Sequence, residues 1–173
     1  MKMKTGFIVV TLTLGAILAT NASAVETTAP ATVSIPRMSM DTAVKLAKAA
    51  IDACRKQGLN VAVTVVDRGG HPQVVLRDTL AMDLALAISR RKAYTAMSFN
   101  APTSQLEGRF SGTYSVPKID DVLIAAGGLP ITGGGAIIGG VGVSGAPSGK
   151  QDEQCAQAGL DAVAFDLETA GFR

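Results

Sequence analysis

Two cationic side chains, Lys92 and Arg77, are the clearest candidates for binding an anion in this 173-residue chain. Lys92 lies within a mostly apolar stripe of a predicted helix, and Thr95 lies on the same stripe. A buried ammonium group is unfavourable unless it is paired or reaches water. Three roles are therefore open for Lys92: it reaches solvent, it pairs with Asp67 or Asp152, or it holds a ligand carboxylate. Arg77 ends a predicted strand and is either a second anion ligand or an ordinary edge charge.

The single histidine, His71, is the only imidazole that could bind a metal ion or move a proton. It follows a predicted turn and precedes Pro72, so a solvated loop residue is the alternative. One histidine excludes a multi-histidine metal site. We therefore predict His71 as at most one ligand of a metal ion.

Three small residues, Gly140, Gly142 and Ser144, share one face of a predicted strand. A strand face without bulky side chains accepts either a flat ligand or a second backbone at close range. Residues 140–145 also match the dinucleotide-binding pattern G-x-G-x-x-G, but they lie within the strand and do not open a helix. The pattern therefore does not indicate a nucleotide site.

The composition, 47% hydrophobic and 17% charged residues, is that of a folded domain. The net charge is +2, and removal of Lys2 and Lys4 with the leader described below leaves fourteen basic and fourteen acidic residues. A neutral chain has no general electrostatic attraction for nucleic acid or anionic membranes. We therefore predict neither as a partner.

Residues 1–24 have the form of a signal peptide, with a basic start, an uncharged apolar segment and the small residues Ala22 and Ala24 at its end. The apolar segment is shorter than the roughly 20 residues of a membrane-spanning helix. We predict cleavage after Ala24, a flexible arm over 25–37, a domain over 38–173, and a periplasmic or extracellular mature protein without a membrane span.

Two cysteines, Cys54 and Cys155, would then enter an oxidising compartment, where an even number permits a disulfide. Both lie on predicted helices, so a bridge requires those helices to pack side by side. Two buried free thiols are the alternative.

Hydrophobic periodicity predicts an α+β fold with strands arriving in hairpins and therefore an antiparallel sheet. The predicted elements are a helix from about residue 40 to Gly58, strands 61–67 and 73–77, a helix over 82–99, a short helix near 104–109, strands 129–132 and 136–144, and a last helix from Ser148 to about Ala170. The second helix carries extra apolar residues, Met82, Leu86, Ala93 and Met97, which predict a homo-oligomer, at least a dimer. A helix packed between its own sheet and a loop is the alternative.

Six sequence blocks together resemble the GlcG/HbpS-like family of haem-binding proteins, over about residues 38 to 170. The blocks are Val65–His71, Arg77 at the end of the next strand, Arg91–Ala96, Gly127–Ile131, Ile138–Gly145 and Gln151–Ala156. The sequence departs from the family at Thr79-Leu80, where an acidic-glycine turn often occurs.

The resemblance implies a profilin-like or PAS-like layer, with about five antiparallel strands and helices packed on them, and assembly from a dimer up to an octamer. It also implies noncovalent binding of haem or a related tetrapyrrole, in haem sensing, storage or degradation. The cofactor-binding candidates are then Lys92, Arg77, His71, Thr95, Gly140, Gly142 and Ser144. His71 is the expected iron ligand, and Tyr94, Tyr114 or a methionine are weaker substitutes. Two alternatives stay open: a carrier or enzyme for a small carboxylate of the glycolate type, and an assembly module without a ligand.

Overall fold

The computed structural model describes residues 29–110, 112 and 116–169. The predicted signal peptide, residues 25–28 of the predicted arm, Tyr114 and residues 170–173 lie outside the described residues. The elements are α1 (Met40–Arg55), β1 (Ala62–Asp67), β2 (Pro72–Arg77), α2 (Leu84–Phe99), two 3-10 turns (Thr103–Leu106 and Val116–Lys118), β3 (Gly128–Gly133), β4 (Ala136–Ser144), α3 (Gly149–Asp161) and α4 (Ala164–Thr169).

The described strands form one antiparallel sheet in the order β2-β1-β4-β3. The α+β prediction is confirmed, with four described strands against the expected number of about five. Helices α1 and α3 pack together on one face of the sheet, and α2 lies on the other face against β4, β1 and β3. Strand β1 is therefore buried on both faces, which explains its run of β-branched residues.

The ends of the helices follow from local capping. The Ser39 side chain accepts a hydrogen bond from the Thr42 N–H at the start of α1, and Ser148 does the same for Gln151 at the start of α3. The predicted last helix is interrupted after Asp161, because a turn at this point directs Val163 and Leu167 into the core.

A disulfide joins Cys54 of α1 to Cys155 of α3, with the Cα atoms 5.5 Å apart. Of the two alternatives left open by the sequence, the structure therefore shows the bridge. Both sulfur-bearing residues are fully buried. Since α3 begins at the site described below, the bridge attaches that helix to the main core.

The apolar residues predicted as a subunit interface, of which Met82 precedes α2, divide between two environments. Ala93 and Met97 are buried against the sheet of the same chain, whereas Met82 is 59% exposed. The stripe predicted as a subunit interface is thus partly an internal contact. Leu80 and Leu84, two residues before and after Met82, are also more than half exposed. No helix among the described residues is long and apolar enough to cross a bilayer.

Candidate functional site

A cleft of about 850 Å³ opens between the outer side of α2, the segment 123–126, the first 3-10 turn and the start of α3. Its volume falls within the range typical of small-molecule sites, about 300 to 1,000 Å³. Its apolar lining comes from α2 and from the segment before β3: Ala87, Ile88, Leu123, Ala125 and Ala126.

A buried ion pair lies next to the cleft. The Nζ of Lys92, which lines the cleft, is 2.8 Å from Asp152 Oδ2 and donates a second hydrogen bond to the Val143 carbonyl at 3.0 Å. The Ala146 N–H donates to the other carboxylate oxygen of Asp152. Burial raises the pKa of Asp152, although the Lys92 ammonium and the Ala146 N–H act in the opposite direction. Of the three roles open for Lys92, the structure shows pairing with Asp152.

A glycine completes this arrangement. A Cβ atom added at Gly127 would lie 2.7 Å from Lys92 Nζ and 2.8 Å from the Asp152 Cβ, and Gly127 has φ of +119°. The residue is therefore confined to glycine by both its backbone conformation and the space around it.

Two threonine hydroxyls hold the chain that approaches β3. Thr95 of α2 accepts a hydrogen bond from the Leu123 N–H at 2.9 Å, and Thr103 accepts one from the Gly128 N–H at the same distance. Both threonines are fully buried. Thr95, predicted as a ligand contact, therefore positions the cleft wall at Leu123.

Two glutamates that line the cleft also bind its wall. Glu107 accepts a hydrogen bond from the Ala126 N–H at 2.8 Å. Glu153 accepts one from the Ser104 hydroxyl at 2.9 Å and a longer one from the Gly127 N–H at 3.4 Å. Their carboxylates are thus used within the protein. Neither residue was predicted from the sequence, although Glu153 lies in one of the six family blocks.

The bare face of β4 is filled by helix α2. A Cβ atom at Gly142 would lie 2.6 Å from the Ala93 backbone nitrogen, and one at Gly140 would lie 2.9 Å from the Met97 Cβ. Of the two predicted uses of this face, the structure shows close approach of a second backbone, so these two glycines do not present a surface to a flat ligand. Ser144, at the end of the strand, is buried and lines the cleft.

Arg77 does not line the cleft. Its guanidinium group forms an ion pair with Asp83 and donates a hydrogen bond to the Ala81 carbonyl at 2.9 Å. These contacts are made with the loop that leads into α2. Arg77 therefore has the role of a charge at the sheet edge, as the alternative interpretation states.

His71 lies at the opposite end of the sheet. Its side chain is 80% exposed, and its Nδ1 is 3.5 Å from Asp67 Oδ1. Asp67 pairs with Gly139 of β4, five residues from Ser144 at the cleft, which corresponds to about 17 Å along a strand. The structure does not bring His71 to the cleft of the same chain. No group of three or more metal-binding side chains occurs among the described residues.

Two further cations line the cleft and were not selected from the sequence. Arg91 projects from α2 and Lys150 from the first turn of α3, and both residues are exposed. Neither forms an ion pair with a described acidic residue. Arg91 lies four residues after Ala87, a spacing that places both on one side of the helix. The four-residue spacing from Ala87 is the feature of the sequence that could have placed Arg91 on the cleft side of the helix.

A family model described as haem-degrading protein HbpS-like matches residues 38–161. The chain belongs to the HbpS-like family. The crystal structure of HbpS is 41% identical, with a TM-score of 0.74, over 77% of this chain and 94% of that one. The structure of a PduOC:haem complex is 26% identical, with a TM-score of 0.68, over 73% and 95%. An uncharacterised 15.0 kDa protein from Citrobacter freundii is 30% identical over 73% of this chain and 92% of its own length.

Proposed function

We propose that this protein binds haem or a related tetrapyrrole noncovalently in the cleft beside α2. The observation that carries the proposal is the combination of apolar walls with two cations, Arg91 and Lys150, in a cavity of about 850 Å³. A porphyrin ring buries apolar surface, and its propionates require cationic or hydrogen-bonding partners. Membership of the HbpS-like family and similarity to PduOC, solved as a haem complex, support the same ligand.

The residues of the cleft fit this group. Ile88 and Leu123 provide apolar contact area for the ring, and Arg91 and Lys150 provide cations for the propionates. Bound haem would supply a redox-active iron to the cleft, which degradation of haem requires. Because His71 lies far along the sheet, the proposal assigns no imidazole of the same chain to this iron.

The test is a titration of the mature protein with haemin, followed by the Soret band. We expect a shifted band that saturates at stoichiometric protein. Ala87→Trp, which fills the cleft from an exposed helix position, should weaken binding at least tenfold, whereas Val44→Trp on the exposed side of α1 should not. A band identical to that of free haemin at stoichiometric wild-type protein would refute the proposal.

A small carboxylate is the second candidate ligand, and the cations Arg91 and Lys150 are the observation that favours it. A thermal-shift screen with hydroxy acids distinguishes the two. Stabilisation by a hydroxy acid without a Soret response to haemin would support the small carboxylate. Absence of both responses would support an assembly module without a ligand.

We also propose that residues 1–24 are a cleaved signal peptide, that 25–37 form an arm before a domain over 38–173, and that the mature protein is periplasmic or extracellular. The buried Cys54–Cys155 disulfide supports an oxidising compartment. Intact mass of the exported protein should show a chain that begins at Val25. A retained leader in the cytoplasmic fraction would contradict this.

Self-association completes the proposal. Leu80, Met82 and Leu84 lie close in sequence and are each more than half exposed, and contiguous exposed apolar surface is typical of an interface between subunits. We expect light scattering to show a dimer or a larger assembly, up to an octamer. Leu80→Glu combined with Met82→Glu should dissociate it, and a monomeric wild type at micromolar concentration would refute the prediction.

A further inference from the structure

We propose that Arg91 and Lys150 form a carboxylate clamp at the cleft, and that this clamp selects tetrapyrroles with free propionates over their neutral esters. The inference rests on the proposed haem site and identifies its specificity-determining residues. The two cations belong to different elements, since Arg91 is in α2 and Lys150 is in α3, and both line the same cleft.

The cations on either side of Arg91 in sequence are both paired within the chain. Arg90, the residue before Arg91, forms an ion pair with Asp121. Lys92, the residue after it, is held by Asp152 in a pair whose side chains are both 4% exposed. Arg91 therefore lies between two cations that are paired within the chain. Its charge contributes to the lowered pKa of Asp121, but it forms no ion pair with a described acidic residue.

The acidic residues of the cleft do not neutralise the clamp. Glu107 is bound to the Ala126 N–H, and Glu153 is bound to the Ser104 hydroxyl and the Gly127 N–H. Neither carboxylate forms an ion pair with a cation among the described residues. A ligand carboxylate is consequently the natural partner of the two remaining cations.

The chemistry favours carboxylates in particular. Arg91 presents a planar guanidinium group that can donate two parallel hydrogen bonds to one carboxylate, and Lys150 presents a compact ammonium group. A propionate ester retains the apolar ring but removes the charge and reduces the acceptor strength. The clamp therefore predicts discrimination between ligands of nearly equal shape.

The experiment compares haemin with its dimethyl ester on the mature wild-type protein and on Arg91→Gln, Lys150→Gln and the double variant. Lys56→Gln, which removes an exposed cation outside the cleft, is the matched control. We expect each single variant to weaken haemin about fivefold to tenfold and the double variant about fiftyfold, as loss of charge-assisted hydrogen bonds implies. The ester should bind the wild type as weakly as haemin binds the double variant, and no variant should alter ester binding.

The outcomes separate the clamp from the site. Tight haemin binding that is unchanged in the double variant, or equal affinity of the wild type for haemin and ester, would overturn the clamp and leave haem binding intact. Absence of binding of both compounds to the wild type would overturn the proposed function and the clamp together. Melting temperatures equal to the wild type would show that the exposed substitutions preserve the fold, and the ester comparison on the wild type requires no variant.

Discussion

The ion pair between Lys92 and Asp152 provides the sharpest test of the site geometry. In Lys92→Ala the Asp152 carboxylate loses its cation and keeps only the hydrogen bond from the Ala146 N–H, in a position where the Asp152 side chain is 4% exposed. Breaking a buried pair by removing one partner typically costs about 3 to 5 kcal/mol of unfolding free energy.

Protonation of Asp152 sets an upper limit on the electrostatic part of this loss. A carboxyl group with the ordinary pKa of 3.8 requires about 4 kcal/mol to become neutral at about pH 7. A stranded carboxylate will accept a proton if remaining charged is more unfavourable than that. We therefore expect Lys92→Ala to lose about 4 kcal/mol, which lowers the melting temperature by about 15 °C for a domain of this size.

The same reasoning predicts a pH dependence with a definite sign. Without Lys92 the pKa of Asp152 rises further, so the folded state holds a proton that the unfolded state releases at neutral pH. The contribution of Asp152 to stability then falls as the pH rises from the ordinary carboxyl pKa towards the raised value. The deficit of Lys92→Ala relative to the wild type should accordingly be large at neutral pH and should shrink towards about pH 4.

Urea unfolding of wild type, Lys92→Ala, Lys92→Met and Lys92→Met with Asp152→Asn measures these quantities. The last variant removes both charges and keeps an acceptor for the Ala146 N–H, so it should be more stable at neutral pH than Lys92→Met. Lys48→Ala is the matched control, because its pair with Asp52 is exposed and should contribute less than about 1 kcal/mol. A loss below about 1 kcal/mol in Lys92→Ala that does not vary with pH would refute the reasoning.

Three further predictions concern the scaffold. The double variant Cys54→Ala with Cys155→Ala should lose about 4 to 5 kcal/mol of unfolding free energy on the loop-entropy model, because the bridge joins residues 101 positions apart. Equal urea midpoints with and without the bridge would contradict this. Gly142→Ala should destabilise the fold by about 1 to 3 kcal/mol, because the added Cβ atom forces α2 away from β4. At Gly112 a Cβ atom would have no other heavy atom within 4 Å, so Gly112→Ala should leave thermal unfolding almost unchanged. Burial opposes ionisation of Asp67, but hydrogen bonds from the His71 and Gly69 N–H groups and the charge of Arg37 outweigh it and lower the pKa of this carboxyl group. The stability that Asp67 contributes is therefore present above its ordinary pKa and lost in acid. An Asp67→Asn variant with the same acid-unfolding profile as the wild type would show this to be wrong.

Much of the fold could be predicted because its signals are local. The sequence pattern predicted the bounds of β4 as Ala136–Ser144, and helical spacing of apolar residues predicted that α1 begins at about residue 40. The interruption after Asp161 was missed, because the apolar spacing of a helix continues through it and only the position of the core makes the chain turn there.

The site was harder to predict, since its members come from distant parts of the chain. Lys92 and Asp152 are sixty residues apart in sequence, and the sequence offered Asp67 and Asp152 as equally open partners. The glycine face of β4 was recognised, but a bare strand accepts a ligand and a helix backbone equally well. Only the packing of α2 shows which of the two occupies it.

The sequence by itself determined the α+β class, the hairpins, the family resemblance and the presence of a strand face without bulk, because each depends on residue type at short spacing. The tertiary structure decided which charges are neutralised. It pairs Lys92 with Asp152 and Arg77 with Asp83, leaves Arg91 at the cleft, and places His71 at the far end of the sheet. The physical reason is that the energy of a charge depends on its distance from other charges and from water, and these distances are set by packing between elements that are remote in the chain.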